Sequence, residues 1–269
     1  MPDWARGWFA VRAGRFELKY LIEESLAQRL SAQLDGPCRL DAEAGPTGGY
    51  TVTSLYLDSP DLVVHRAVLT AQPIRWKARI RSYGAQCAGP HWVEVKRRYG
   101  EVIVKTRTKV APNLWPQLVE RDTGVDLDTW PLGPKGKEDV GEFRALCQMH
   151  DLEPRLNIRY DREPWVGVLD PDLRVTFDRS LRYAASTECV ISADESRYRS
   201  FDFTESMIGT QRAVVLEIKF GAAMPGWLAA LVRTLQLQRG SFAKYSKGLQ
   251  CDLDDATAYV PGQMASRWS

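Results

Sequence analysis

Charged and apolar side chains alternate along several segments of this chain. Residues 76–82 read WKARIRS, which places Lys77, Arg79 and Arg81 at every second position. Successive side chains of a β-strand point to opposite faces, so this segment predicts a strand with three cations on one face. The next two segments, WVEVKRR and VIVKTR, continue the pattern. Together they predict neighbouring strands that share a cationic face, which is a surface suited to a polyanion.

The same periodicity predicts further strands and helices. The link Tyr99-Gly100-Glu101 is short enough for a hairpin between two of the cationic strands. Other strands are predicted at residues 15–22, 51–59, 155–162, 173–180, 181–184 and 213–220. Helices are predicted at residues 23–34, 59–69, 138–150 and 225–238, followed by a short helix that carries Lys244 and Lys247. Residues 197–203 fit neither pattern clearly, and residues 110–136 read as an irregular connection.

Charged faces on nearly every strand exclude an ordinary β-sandwich, because the charges would then fill the shared core. A closed barrel places these charges in a polar lumen and leaves its apolar outer face to be covered by helices. The predicted fold is therefore α+β, an eight-stranded antiparallel β-barrel tunnel with peripheral helices. We expect one domain over residues 15–255, preceded by a lead-in at 1–14 and followed by a tail at 256–269.

Composition limits the ligands and kinds of site that are expected for this chain. The net charge of the 269-residue chain is only +2, so nucleic acid is not an expected partner and any polyanion site requires segregated charge. The five cysteines are widely spaced and form no CxxC pair, which predicts neither a zinc site nor a disulfide framework. No stretch has the length of a membrane span or the form of a signal peptide. A cytoplasmic location is expected.

Six segments in a fixed order resemble one known family: RFELKY, KARIRSYG, WVEVKRR, VIVKTR, VVLEIKF and KYSKG. They look like the polyphosphate polymerase domain of the vacuolar transporter chaperone (VTC) complex, a branch of the triphosphate tunnel metalloenzymes, over residues 15–250. The resemblance implies transfer of the γ-phosphate of ATP to a polyphosphate chain, with a divalent metal, usually Mn²⁺ and alternatively Mg²⁺. It also implies ATP and inorganic polyphosphate as partners, and a membrane-protein partner to which the protein is peripheral. The oligomeric state is left open.

The resemblance also implies roles for individual residues. The reacting phosphates are expected to contact Arg79, Arg81, Lys96, Lys105 and Arg159. Further cations expected to bind the polyanion are Arg15, Lys19, Lys77, Arg107, Arg174, Lys219, Lys244 and Lys247. Glu217 is the first choice of metal ligand and Glu17 the second. Asp178 is expected to be a structural partner of Arg174.

One departure from the tunnel-enzyme pattern bears on the reaction. Hydrolytic members begin with an ExExK signature, and here Arg15 stands at the first glutamate position while Glu17 and Lys19 match the rest. The loss of one carboxylate favours a polymerase over a two-metal hydrolase. Two alternatives stay open: a tunnel triphosphatase that hydrolyses tripolyphosphate or nucleoside triphosphates, and a non-catalytic polyphosphate-binding module. For each strand cation alone, an exposed charged sheet face is the ordinary explanation.

Overall fold

The computed structural model describes residues 16–100, 102–121, 123–206 and 209–258. The strands in this part of the chain are β1 (Phe16–Glu23), β2 (Cys38–Leu40), β3 (Tyr50–Asp58), β4 (Ile74–Tyr83), β5 (His91–Tyr99), β6 (Val102–Val110), β7 (Glu153–Gly167), β8 (Arg174–Ala185), β9 (Arg199–Ser200), β10 (Phe203–Ser206) and β11 (Gly209–Phe220). The helices are α1 (Glu24–Ala32), α2 (Val63–Leu69), α3 (Pro116–Val119), α4 (Pro134–Met149), α5 (Gly226–Thr234) and α6 (Lys244–Ala258). None of the described helices is long and apolar enough to cross a membrane.

Eight strands form one antiparallel sheet in the order β1-β11-β8-β7-β3-β4-β5-β6, and three short strands pair beside it. The sheet is strongly curled, because strands near its two ends meet across its inner side. Lys96 Nζ of β5 lies 3.3 Å from Glu17 Oε2 of β1. The predicted fold class, an eight-stranded antiparallel tunnel with peripheral helices, is confirmed in this curled form.

Helices cover the outer face of the sheet at two places, as the alternation predicts. Ile80 of β4 and Val95 of β5 pack with Phe143 of α4 in one buried apolar cluster. In a second cluster, Leu216 of β11 packs with Leu30 of α1, and α5 adds a further leucine. Each fully buried side chain of this size contributes about 1.5–3 kcal/mol. The charged residues at the alternate positions therefore point to the opposite, inner face.

A third apolar cluster lies on the inner side of the sheet and involves α2 and α6. Tyr245 and Leu249 of α6 pack there with Tyr56 and Ile158. Gly248 makes this close approach possible, since a Cβ atom at its position would lie 2.7 Å from Ile158 Cδ1. The predicted short closing helix is thus a 15-residue helix that crosses the inner face.

Several boundaries differ from the predicted ones. The strands predicted at 173–180 and 181–184 form one strand, β8, with an irregular register opposite Arg159 and Asp161, where Ser180 has a φ of 51°. Helix α4 begins four residues before its predicted start, and α6 continues past the predicted domain end at residue 255. The predicted lead-in at 1–14 and Arg15 lie outside the described residues.

Candidate functional site

The inner face of the curled sheet carries a concentration of charge that we call the basic cluster. Its cations are Lys19, Lys77, Arg79, Arg81, Lys96, Lys105, Arg107, Arg162, Lys219 and Lys244, and its carboxylates are Glu17, Glu94, Asp178 and Glu217. Strand register aligns them in rows, such as Lys77, Lys96 and Lys105 across β4, β5 and β6. Within the described residues, ten cations thus surround four carboxylates. The excess of positive charge gives the cluster the chemistry that suits a polyanion.

Glu94 is the centre of the first part of the cluster. It is 1% exposed, and its carboxylate lies 2.6 Å from Arg79 Nη2, 2.8 Å from Lys105 Nζ and 3.2 Å from Arg107 Nε. Burial alone would raise the pKa of Glu94, but Arg79, Arg81 and Lys105 outweigh it and hold the pKa far below its usual value. Glu94 therefore remains a carboxylate and fixes three cations in place.

Two carboxylates lie side by side in the second part of the cluster. Lys19 Nζ is 3.1 Å from Glu17 Oε1 and 3.3 Å from Glu217 Oε2, and Lys219 also contacts both residues. Burial and mutual repulsion raise the pKa of Glu17, yet Lys19, Lys96 and Lys219 outweigh them and lower it. Burial likewise opposes ionisation of Glu217, but Lys219 and Lys19 bring its pKa well below the usual range. Both groups are thus ionised, although each is largely removed from water.

Asp178 organises the third part. Its fully buried carboxylate accepts two hydrogen bonds from Arg162, at 2.6 Å and 2.8 Å, and lies 2.7 Å from Lys244 Nζ. Burial would raise the pKa of Asp178, but Arg162 and Lys244 lower it to about 2. The expected Asp178–Arg174 pair is not formed. Arg174 is half exposed and pairs with Asp41 at 2.6 Å.

Three groups in the cluster have pKa values near neutrality. Burial, with Lys19 and Lys96 nearby, lowers the pKa of Lys77 to about 8, and Lys77 forms no ion pair within the described residues. Burial lowers the pKa of Lys105 to about 7, even though Glu94 opposes the shift. Burial would raise the pKa of Tyr56, but Arg79, Arg81 and Lys77 outweigh it and lower it to about 7. A bound anion would compensate the repulsion that Lys77 and Lys105 experience from neighbouring cations.

The charge of Lys77 is expected to contribute to the affinity for tripolyphosphate, and this contribution should decrease as the pH rises above the Lys77 pKa of about 8. A bound anion raises the pKa of Lys77, so binding takes up a proton between the two pKa values. This contribution is full below about pH 8 and is lost progressively as the pH rises toward the higher pKa of the bound state. Calorimetric titrations over a pH series should therefore show a steeper decline for the wild type than for Lys77→Met. The ionisation of the ligand is common to both proteins and cancels in the comparison. Parallel pH profiles would contradict the assignment.

Three residues predicted to join the cluster do not: Arg174, which pairs with Asp41, and also Arg159 and Lys247. Arg159 lies on the other face of β7, where its buried guanidinium donates to Thr53 Oγ1 and the Ala85 carbonyl and pairs with Glu195 at 2.6 Å. Lys247 is exposed on α6 and forms no ion pair in the described part of the chain. The predicted tunnel position of Arg159 is therefore corrected to Arg162, which lies three residues further along and faces inward.

Sequence reasoning missed three contributors to the cluster. Glu94 is not among the predicted site residues, although it alternates in phase with Lys96, and it contacts Arg79, Lys105 and Arg107. Its alternation was the signal that could have found it. Arg162 and Tyr56 gave no such signal. The segment NIRYDR offers two arginines an odd number of positions apart, and alternation alone does not say which one faces inward.

Arg162→Met is expected to weaken tripolyphosphate binding at least about tenfold, because it removes a charge-assisted contact from the inner face. Arg159→Met is the control, since it removes a buried arginine from the other face of the same strand. It should lower the thermal midpoint of unfolding while leaving the affinity of the folded protein within about twofold. Calorimetric titration measures the affinity of both variants. A greater loss of affinity for Arg159→Met would restore the original placement.

A curled antiparallel sheet with a basic inner face defines a tunnel-type fold. The family model of the VTC domain matches residues 14–252. The chain therefore belongs to the VTC domain family.

The comparison with solved structures found distant likenesses. A candidate adenylate cyclase from Bacillus halodurans is 12% identical with a TM-score of 0.49, and 86% of this chain and 94% of that chain are covered. A candidate adenylyl cyclase from Hippeastrum with a dominant triphosphatase activity is 15% identical with a TM-score of 0.48, covering 87% and 95% of the two chains. The Mimivirus capping enzyme triphosphatase is 8% identical with a TM-score of 0.32, covering 82% and 87%. At these values the likenesses carry no argument about activity. No curated protein matched the chain.

Proposed function

We propose that this protein is a metal-dependent polyphosphate polymerase that transfers the γ-phosphate of ATP to an inorganic polyphosphate chain. The observation that carries the proposal is the convergence of the basic cluster on the inner face of a curled sheet. Membership of the VTC domain family supports the same activity. ATP and polyphosphate are the proposed ligands. A cytoplasmic location belongs to the proposal as the expectation from the sequence, and a membrane-protein partner belongs to it through the family resemblance alone.

The cluster provides what phosphoryl transfer requires. The reaction depends on positioning and on stabilising charge at the phosphate oxygens more than on covalent help from the protein. Arg79 and Arg81 can engage phosphate oxygens through two donors each, and Lys105 adds a point charge beside them. The fixed carboxylate of Glu94 holds Arg79 and Lys105 in place before a ligand arrives, so little reorganisation accompanies binding.

The attacking group of a polymerase is a terminal phosphate oxygen that is already ionised, so the reaction needs no histidine base. The arrangement of the histidines agrees with this requirement. His65 is buried in α2, His91 accepts a hydrogen bond from Trp115 Nε1, and His150 lies against Trp76. None of the three belongs to the basic cluster.

Two neighbouring carboxylates of the basic cluster are suitable ligands for a divalent metal. Glu17 and Glu217 are two ionised carboxylates that share the ammonium groups of Lys19 and Lys219, and a metal could replace these groups at the carboxylate oxygens. No group of three or more potential metal ligands occurs among the described residues. Mn²⁺ or Mg²⁺ usually takes only one or two carboxylates in such sites, with phosphate and water completing its coordination. When bound, the metal would neutralise charge on the β- and γ-phosphates.

Incubation of the purified protein with ATP and Mn²⁺ tests the proposal. A ladder of polyphosphate chains on a gel, formed together with ADP, is the expected result. ADP and free phosphate without chains would contradict polymerisation and favour the triphosphatase alternative. Salt-dependent binding of polyphosphate without any turnover would favour the non-catalytic module. The part that Arg15 plays in this choice stays a prediction, and an increase in hydrolysis by Arg15→Glu would support it.

A further inference from the structure

An aromatic group borders the basic cluster at one end. Trp92 of β5 and Tyr83 of β4 point to the inner face and are half-buried, and Arg81 is the direct cross-strand partner of Trp92. Tyr83 also meets the ring of Tyr50 edge-on, with centroids 5.6 Å apart. Trp92 belongs to none of the three apolar clusters of the described residues. Its contacts are with cations, so hydrophobic packing does not account for its position.

Arg107 connects these aromatic rings to the phosphate-binding cations. Its guanidinium carbon lies 3.6 Å from the centroid of the Trp92 ring, and its Nη2 donates to Tyr83 Oη at 3.0 Å. The same guanidinium pairs with Glu94 through Nε at 3.2 Å. Arg107 is therefore part of both groups. Its side chain is 35% exposed, which leaves this end of the cluster open to a ligand.

The order of residues along β5 sets the order in which an extended ligand would contact them. Trp92, Glu94 and Lys96 follow one another on the inner face, each about 7 Å beyond the previous one. A ligand that lies along this row would meet the aromatic rings and Arg81 first, and then Arg79 and Lys105 around Glu94. It would reach the lysines near Glu17 and Glu217 last. Such a ligand has a flat apolar group at one end and a chain of negative charges behind it.

An inorganic phosphate chain has no flat π face with which to stack on an aromatic ring. A nucleobase has such a face, which stacks on aromatic and guanidinium groups. We propose that Trp92, Tyr83 and Arg107 form the subsite for the base of a nucleoside triphosphate, whose phosphates extend toward Arg79, Arg81 and Lys105. The subsite rests on the proposed function for its ligand. It assigns Trp92 and Tyr83 to recognition of the nucleotide and not of the polyphosphate product.

Tripolyphosphate is the matched probe, because it has a triphosphate chain without a base. Affinities of ATP and of tripolyphosphate are measured by calorimetry for the wild type, Trp92→Leu and Tyr83→Leu. Stacking on an aromatic side chain is worth about 1–3 kcal/mol per base, so Trp92→Leu should weaken ATP binding at least about fivefold. Its affinity for tripolyphosphate should stay within about twofold of the wild type. Trp92→Tyr should recover most of the affinity for ATP, because it restores a stacking face.

The possible results distinguish a failure of the proposed subsite from a failure of the proposed function. Equal losses for ATP and tripolyphosphate, or unchanged affinity for both, would overturn the subsite even if the wild type synthesises polyphosphate. Selective loss of ATP binding would support the subsite even if no polymer forms, which would leave the polymerase proposal to fail alone. Tyr83→Leu repeats the comparison if Trp92→Leu does not fold. Normal tripolyphosphate binding by either variant shows that the tunnel is intact.

Discussion

Glu217→Gln is expected to lower the rate of polyphosphate synthesis from ATP and Mn²⁺ at least about 100-fold. The substitution keeps the size of the side chain but removes the charge that, together with Glu17, would hold the metal. Glu217 is 6% exposed and lies between Lys19 and Lys219, so the loss of its charge also leaves these lysines with less compensation. The rate is measured from the appearance of polyphosphate chains at saturating ATP.

Glu94→Gln is the matched control for this effect. Glu94 is another buried carboxylate among cations of the same cluster, but its neighbours are two arginines and Lys105, and no second carboxylate contacts it. Both variants should change the affinity for ATP, whereas only Glu217→Gln should reduce the binding of Mn²⁺ in the presence of tripolyphosphate. Equal Mn²⁺ binding by Glu217→Gln and the wild type would exclude Glu217 as a ligand.

Asp178→Asn is expected to lower the free energy of unfolding by about 3–5 kcal/mol. The change removes the buried charge of Asp178, whose carboxylate lies 2.6 Å from Arg162 Nε and 2.7 Å from Lys244 Nζ. It leaves these two cations close together without a compensating charge. Chemical denaturation of the ligand-free protein measures the loss. Tripolyphosphate should recover part of it, because a bound polyanion supplies the missing negative charge.

Asp151→Asn provides a comparison at nearly the same ion-pair distance but without burial. Asp151 lies 2.7 Å from Arg121, and the two side chains are 62% and 72% exposed. Loss of this pair should change the free energy of unfolding by less than about 1 kcal/mol. If Asp178→Asn were equally mild, the Asp178–Arg162–Lys244 group would contribute no more than a surface pair.

The alternation of charge along the strands was sufficient to predict the curled sheet. Lys77, Arg79 and Arg81 face inward together because period two is a property of any strand, whatever its partners. The apolar positions between them pack under α4 as expected. Helix ends were less predictable, because capping and packing shift them by a turn. The start of α4 at Pro134 is such a case, since proline at the first helical position is favourable.

The sequence predicted only some of the residues that meet in the site, because their meeting depends on contacts between distant parts of the chain. Lys96 and Glu17 are 79 positions apart, and no local pattern indicates that they meet. Alternation also fails where a strand is irregular. The register of β7 and β8 shifts between Arg159 and Asp161, so a motif match in this segment did not give the facing of its arginines.

Among the described strands, the ends of the curled sheet meet through side chains and not through backbone pairing. In the described part of the chain, β1 and β6 are the two ends of the strand order, and the ion pair between Glu17 and Lys96 spans the gap beside them. Opening such a seam breaks ionic contacts but no ladder of hydrogen bonds. A polyphosphate chain, the proposed ligand, would therefore not need to thread through the tunnel from one end. It could enter sideways along the seam, where its negative charge would replace that of Glu17 at Lys96.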